Sequence, residues 1–350
     1  MSMKVALITD QHFGARGDSQ QCLNYYQNFY DNIFFPKLEE HNIDFVMILG
    51  DTFDRRKFIN FNTLARAKSM FFDKLQEKNI KVAMIAGNHD TYYKNTNEVN
   101  SPDLLLVEYD NVTIIDKPMT ITHGATYICM LPWICADNYE ASMKEIEETP
   151  AEICMGHLEI AGFTMYRGHE STEGMDVGKF AKFSKVFSGH YHTKSSKGNI
   201  HYLGNPYELT WQDYNDPRGF HIFDLLTEEL EFVYNPYTMF ERYEYDDTQE
   251  LMNDFEKFTD KYVKIIVVNK TDLYKFDQFV NNVYKNNPQD VKIIEDFSEF
   301  ADGEVDENIN LEDTSSVLMN YIESLDTDLD KEKIKRFMKS LHTEALNVIV

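Results

Sequence analysis

Five short polar clusters interrupt the first two hundred residues, and each closes an apolar run. Asp10 and His12 follow KVALIT. Gly50, Asp51 and Asp54 follow DFVMIL. Gly87, Asn88, His89 and Asp90 follow KVAMIA. Gly156 and His157 follow EICM, and Gly189, His190 and His192 follow KVFS. The carboxyl ends of strands form the ligand-binding edge of an open α/β sheet. Such ends would aim Asp10, His12, Asp51, Asn88, His157, His190 and His192 at one place. Mixed carboxylate, amide and imidazole donors suit Mn²⁺, Fe²⁺ or Zn²⁺ better than Ca²⁺ or Mg²⁺. These donors are too many for one ion with open positions. They suit two ions bridged by one carboxylate, about 3.5–4 Å apart, which acidify a water and align a phosphate. The glycines before them let the backbone turn sharply. Any one cluster also reads as a cap or a satisfied core group. The signal is all five in order, each at a strand end.

Positioning such donors requires strands that end on one side. Strand-like runs occur at 3–9, 44–49, 80–86, 112–115, 126–131, 152–155, 184–188, 200–203 and 219–224, with helix-like stretches at 20–41, 60–78 and 138–148. Apolar runs without alternation suit strands covered on both faces. The order strand, helix, strand predicts right-handed crossovers and a parallel sheet in the first half. The shorter, turn-linked later strands predict a mixed or antiparallel sheet. The expected fold class is α/β (α+β): a two-sheet sandwich flanked by helices over residues 1–240. Residues 241–300 read as a small α+β domain, with helices at 248–259 and 272–285 and strands at 262–268 and 291–295. Residues 301–312 read as an acidic linker. Residues 313–350 carry two amphipathic helices, at 313–325 and 330–346.

The chain has 350 residues, 43% hydrophobic and 14% aromatic, enough for a large core. No run approaches the roughly 18 apolar residues of a membrane span. The start, MSMKVALITD, reads as a buried strand and not as a signal peptide. Cys22, Cys129, Cys135 and Cys154 form no CxxC pair and read as reduced thiols of a cytoplasmic protein. A net charge of −25 argues against holding nucleic acid by a basic surface alone. Most of the acidic excess lies between 241 and 330, and the last twenty residues are basic.

The series D-x-H, G-D-x-x-D, G-N-H-D, G-H and G-H-x-H resembles the calcineurin-like metallophosphoesterases over residues 1–240. The resemblance implies that Asp10, His12, Asp51 and His192 hold one ion and that Asp51, Asn88, His157 and His190 hold the other. His89 would be the general acid that protonates the leaving oxygen. Asp54 would orient it, since a carboxylate on one ring nitrogen fixes the tautomer. The segment GNPYELTWQDYNDPRGFHIFDL at 204–225 resembles the SbcD-type DNA double-strand-break nucleases, above all those of T-even-type phages. That likeness implies Mn²⁺-dependent cutting of DNA ends, 3′→5′, with endonuclease activity, in recombination, repair and replication. It also implies a DNA-facing capping domain, a homodimer formed through helix 20–41 or 60–78, and docking of residues 313–346 on an SMC-like coiled-coil ATPase. The setting would be a cytoplasm, that of the host for a phage protein. Archaeal and eukaryotic relatives usually carry a second histidine where this chain has Asp54, which favours a bacterial or phage type.

Candidate phosphate contacts are Arg16, Arg55, Arg56, Lys57, Lys94, Arg167, Lys194 and Arg218, all in loops after the site motifs. A solvated surface charge is the plainer reading of each. DTDLD at 326–330 lacks the glycine and final glutamate of a calcium loop. Two other readings stay open on the same residues. One is a phosphomonoesterase or small-molecule phosphodiesterase, since Asp54–Arg55 resembles the D-R pair of protein phosphatases. The other is a silent scaffold for an ATPase, against which the intact ligand set speaks.

Overall fold

The computed structural model describes residues 3–166, 169–295, 331 and 333. Its first sheet has the order β14-β13-β1-β2-β3-β4. Strands β1 (Lys4–Ile8), β2 (Phe45–Ile48), β3 (Lys81–Ile85) and β4 (Val112–Ile115) run parallel. Strands β13 (Gly219–Asp224) and β14 (Leu230–Tyr234) are added antiparallel. The second sheet has the order β11-β12-β10-β7-β6-β5. Its parallel centre is β6 (Thr126–Leu131), β7 (Ile153–His157), β10 (Lys185–Gly189) and β12 (Ile200–Tyr202). Its antiparallel edges are β5 (Met119–His123) and β11 (Ser195–Lys197). A short pair, β8 (Thr164–Tyr166) and β9 (His169–Glu170), lies apart.

The strand pleat explains why the runs are apolar throughout. Val5, Leu7, Met47, Leu49 and Ile85 face inward and meet Ile128, Met130, Met155 and Phe187 of the second sheet. Their alternates Ala6, Ile8, Val46, Ile48 and Met84 face outward and meet helices. On that side α1 (Ala15–Asp18) is a single irregular turn. Helix α2 (Gln20–Phe29) runs through a π turn (Tyr30–Phe34) into α3 (Phe35–Glu40), and α4 (Phe61–Ala67) through another (Lys68–Phe72) into α5 (Asp73–Glu77). The wider turns bring neighbours such as Tyr30, Phe34 and Phe35, and Phe71 and Phe72, to the buried side. Phe71 packs 5.5 Å from Phe34 and 4.8 Å from Tyr30. Helix α6 (Ser101–Leu105) is short, and α7 (Tyr139–Glu148) covers the outer face of the second sheet.

A three-stranded parallel sheet follows, β15 (Phe240–Asp246), β16 (Tyr262–Asn269) and β17 (Asp290–Ile294). Helix α8 (Leu273–Lys285) covers one face, with Phe276, Phe279 and Val283 against Tyr245, Val263 and Ile265. The expected helix at 248–259 is only a 3-10 turn at Glu256–Phe258. Its apolar residues Leu251, Met252 and Phe255 instead reach the α8 core from irregular backbone, and the Tyr243 hydroxyl accepts from Met252 N at 3.2 Å. Strands β5, β14 and β15 were not among the expected elements. Chain contacts divide the molecule into Met1–Glu295 and Asp296–Val350. The linker at 301–312 and the helices at 313–325 and 330–346 lie outside the described residues, apart from 331 and 333. No helix among the described residues is long and apolar enough to cross a membrane.

Candidate metal centre

All five polar clusters leave the carboxyl ends of strands, those of β1, β2 and β3 from the first sheet and those of β7 and β10 from the second. The donors meet where the two sheets adjoin. Four of them hold left-handed backbone: Asp10 (φ 51), His12 (φ 45), Asp51 (φ 50) and His190 (φ 87). Such non-glycine conformations cost roughly 1–3 kcal/mol each and persist where surrounding structure enforces them. Gly50 has φ 93, and a Cβ there would lie 2.5 Å from His157 Nδ1. A Cβ on Gly87 would lie 2.2 Å from Asp51 Oδ1. Both glycines are present because the chain passes against the donors.

The donors gather into two sets. Asp10, His12 and His192 place one ligand atom each within 4.8 Å of one another, and so do Asp51, His157 and His190. Asp51 lies between them, its Oδ2 3.3 Å from His157 Nε2 and 3.8 Å from His12 Nε2. Asn88 Oδ1 stands 2.9 Å from both His157 Nε2 and His190 Nδ1. His157 Nδ1 donates to Leu49 O at 2.8 Å, which turns Nε2 inward toward Asp51.

The chemistry of this donor set fits two divalent cations. Asp10 and Asp51 are fully buried carboxylates, which the interior tolerates only when paired or metal-bound. His12 Nε2 and His192 Nε2 face each other at 3.1 Å, close enough for one cation to take both. Protons compensate in part. Burial opposes charge on His12, but the Asp54 and Asp51 carboxylates outweigh it and push its pKa up to about 9. Burial likewise opposes charge on His157, where Asp51 pushes it up to about 9. Burial, then His157, lowers His190 to about 3; burial, then His12, lowers His192 to about 4. Two of these imidazoles thus favour the neutral form, and two favour the charged form, which would have to lose its proton to hold a cation.

His89 stands beside the centre and is only half-buried. Its backbone N–H donates to Asp51 Oδ1 at 2.7 Å, and its Nδ1 lies 2.7 Å from the main-chain oxygen of Asp54. The Asp54 carboxylate faces His12 Nδ1 instead, at 3.3 Å. Asp54 therefore meets His89 through its carbonyl, whereas the family resemblance implied a contact through its carboxylate.

Several supporting residues had no role in the sequence reading. Buried Asp90 accepts from Thr52 N (3.1 Å), Phe53 N (3.0 Å) and Gly87 N (2.9 Å), tying the second and third clusters together. Burial and the Asp51 charge push it up to about 6. Gln11 donates to Tyr30 Oη at 2.6 Å, and Tyr207 Oη donates to Gln11 O at 2.7 Å, which fixes the backbone between Asp10 and His12. Trp133 lies 5.1 Å from the His190 ring.

The candidate phosphate contacts diverge. Arg218 is buried and pairs with Asp213 at 2.9 Å and Asp216 at 2.7 Å, while also donating to His192 O and Asn205 Oδ1. It braces His192, so its place as a phosphate contact is withdrawn. Arg16 stacks 4.1 Å from the Tyr262 ring, and Arg55 pairs with Asp18 at 2.8 Å. Lys194 lies 3.5 Å over Phe232. Lys57 and Lys94 are exposed, Arg56 is half-buried, and Arg167 lies outside the described residues.

Residues 3–194 match the family described as calcineurin-like phosphoesterase. The chain is similar to exonuclease subunit 1 of Enterobacteria phage T4, 30% identical over 347 residues, covering 98% of this chain and 99% of that protein. Similar solved structures include the Pseudomonas putida nuclease MPE, with TM-score 0.29 and 19% identity over 57% of this chain and 67% of that one. A novel archaeal phosphodiesterase gives TM-score 0.35 and 10% identity over 66% of this chain and 99% of that one.

Proposed function

The chain belongs to the calcineurin-like phosphoesterases, and from that premise we propose that it is a DNA nuclease, the cutting subunit of an ATPase–nuclease complex. The observation that carries the reading is two donor sets joined at Asp51, buried but for the half-buried His190 and His192, with half-buried His89 beside them. The near full-length likeness to a phage exonuclease subunit supports DNA as the substrate. We assign Asp10, His12, Asp51 and His192 to one ion and Asp51, Asn88, His157 and His190 to the other, with Mn²⁺ as the metal.

When bound, the ion pair supplies an acidified water and neutralises phosphate charge. The protein's residues do the rest. Asp51 holds the His89 backbone, so the bridging carboxylate and the imidazole keep a fixed spacing. The Asp54 carbonyl accepts a hydrogen bond from Nδ1–H, which leaves His89 Nε2 to give its proton to the departing sugar oxygen. A positioned acid of this kind contributes roughly 10²–10⁴-fold in rate. Digestion runs 3′→5′, with endonuclease cuts when the ATPase engages. Residues 313–346 dock that ATPase, and the subunit works as a homodimer in the host cytoplasm.

The test is Mn²⁺-dependent digestion of end-labelled linear DNA. Wild type digests the label, and His89→Ala and Asp51→Ala do not. His89→Ala still binds Mn²⁺, whereas Asp51→Ala loses it. A wild type that cuts no DNA even with its ATPase subunit, yet turns over p-nitrophenyl phosphate, is a phosphomonoesterase on the same core.

A further inference from the structure

The loop that leaves the second donor cluster and enters α4 contributes nothing to the metal centre, yet it is built with care. Phe58 is 64% exposed. The Arg55 guanidinium lies 4.9 Å from its ring centroid. Arg55 Nη1 donates to Asp18 Oδ2 at 2.8 Å, and Thr63 donates to Asp18 Oδ1 at 2.8 Å. An exposed aromatic ring is thereby braced through three residues. Exposed apolar side chains are ordinary, but this ring is held by its neighbours four residues after Asp54, which touches His12 and His89, and a ring held so can offer a base its face.

Arg56 is the second observation. It is half-buried, it makes no hydrogen bond or ion pair with any described residue, and its Nε and Nη1 are shut off from solvent. The chain has 59 acidic residues, and none of those described compensates this guanidinium. Asp54, two residues earlier, touches both His12 and His89. The loop after His89 adds Tyr92 and Tyr93, 41% and 50% exposed, with ring centroids 4.7 Å apart.

We propose that residues 55–58 form a subsite for one unpaired nucleotide beside the metal centre, with Arg56 on its phosphate through Nη2, the guanidinium nitrogen that is not shut off, and Phe58 stacked on its base. The proposal rests on the DNA-nuclease reading and narrows its substrate to strands with unpaired or frayed ends. A paired base inside a duplex has no free face to offer Phe58. Every base has a π face, so the subsite selects strandedness and not sequence.

The probe is a single-stranded oligonucleotide with a terminal 2-aminopurine, bound in Ca²⁺ without Mn²⁺. Stacking quenches its fluorescence. Wild type binds and quenches. Phe58→Ala loses the quench and binds roughly 5- to 100-fold more weakly, and Phe58→Trp restores both. Arg56→Gln binds more weakly but still quenches at saturation. Melting temperatures and the Trp rescue separate these effects from misfolding. Equal quench and affinity in Phe58→Ala overturn the proposal. So does a Phe58→Ala variant altered only in its mass by light scattering, which would make the ring a contact between copies. The nuclease reading is judged separately, by whether wild type cuts end-labelled duplex DNA in Mn²⁺.

Discussion

Gly189 has no side chain because none fits: a Cβ would lie 2.0 Å from Thr9 Oγ1, 2.6 Å from Leu49 O and 2.9 Å from Asp10 Oδ2. Asp10 is also the acceptor for His190 N, at 3.1 Å from each carboxylate oxygen. Gly189→Ala therefore pushes on two donors at once without removing either. Mn²⁺ affinity, measured by titration calorimetry, should fall about 10- to 100-fold, as for loss of a ligand's supporting contact. An affinity equal to wild type would show that the close approach relaxes freely. At this scale the sequence was informative where chemistry resides in a side-chain type. That Asp10, His12, Asp51, Asn88, His157, His190 and His192 would meet at one place was legible from type and position. The carbonyl that orients His89 was not, because a main-chain acceptor looks the same at every residue. Arg218 was misread because a loop arginine and a buried brace have the same letter. What separates them is Asp213 and Asp216 folding back onto it.

Glu208 shows what a segment can do that its residues alone do not announce. It lies in the connection between β12 and β13, is 3% exposed, and accepts from Met239 N and, at 2.9 Å, from Phe240 N. It thereby joins that connection to the start of β15. Burial pushes its pKa from 4.5 up to about 7, against the pull of those two N–H groups. The folded protein thus holds this proton more tightly than the unfolded chain does. The group's contribution is most favourable below pH 4.5, weakens as pH rises, and is lost above about 7. Glu208→Gln removes that dependence. The variant's stability relative to wild type should be greater at pH 8 than at pH 5, by on the order of 1–3 kcal/mol in urea unfolding. The same difference at both pH values would refute the assignment. Element types were legible where one force dominated. The buried runs of β1, β2 and β3 and the long helices read directly from their apolar pattern. The helical spacing at 248–259 did not survive, because Leu251, Met252 and Phe255 are held in the α8 core from irregular backbone. Strand β15 went unread because its charges hide a period of two. Tyr243 and Tyr245 face α8, while Arg242 and Glu244 face away and pair at 3.0 Å.

At the scale of the whole molecule, among the described residues every candidate donor precedes residue 193, and each of the four apolar clusters is built from residues before 296. The contact division after Glu295 falls just ahead of the acidic stretch. On the proposed reading, hydrolysis of a small ester would need only the ions, their ligands and His89, whereas a polyanionic duplex would have to be held against a net charge of −25. These two demands can be separated by cutting the chain. A protein ending at Glu295 should fold, bind Mn²⁺ and hydrolyse bis-p-nitrophenyl phosphate at a rate close to that of the full chain. If the proposed ATPase partner docks on residues 313–346, the shortened protein should no longer co-purify with it, and its duplex digestion should no longer respond to that partner. A truncated protein that still captures the ATPase would place docking before residue 296. A truncated protein that folds yet turns over no ester, while the full chain does, would mean that the last 55 residues complete the centre. Neither result is expected if the proposed ligands, with the braces and core that the described residues build around them, are sufficient for the centre.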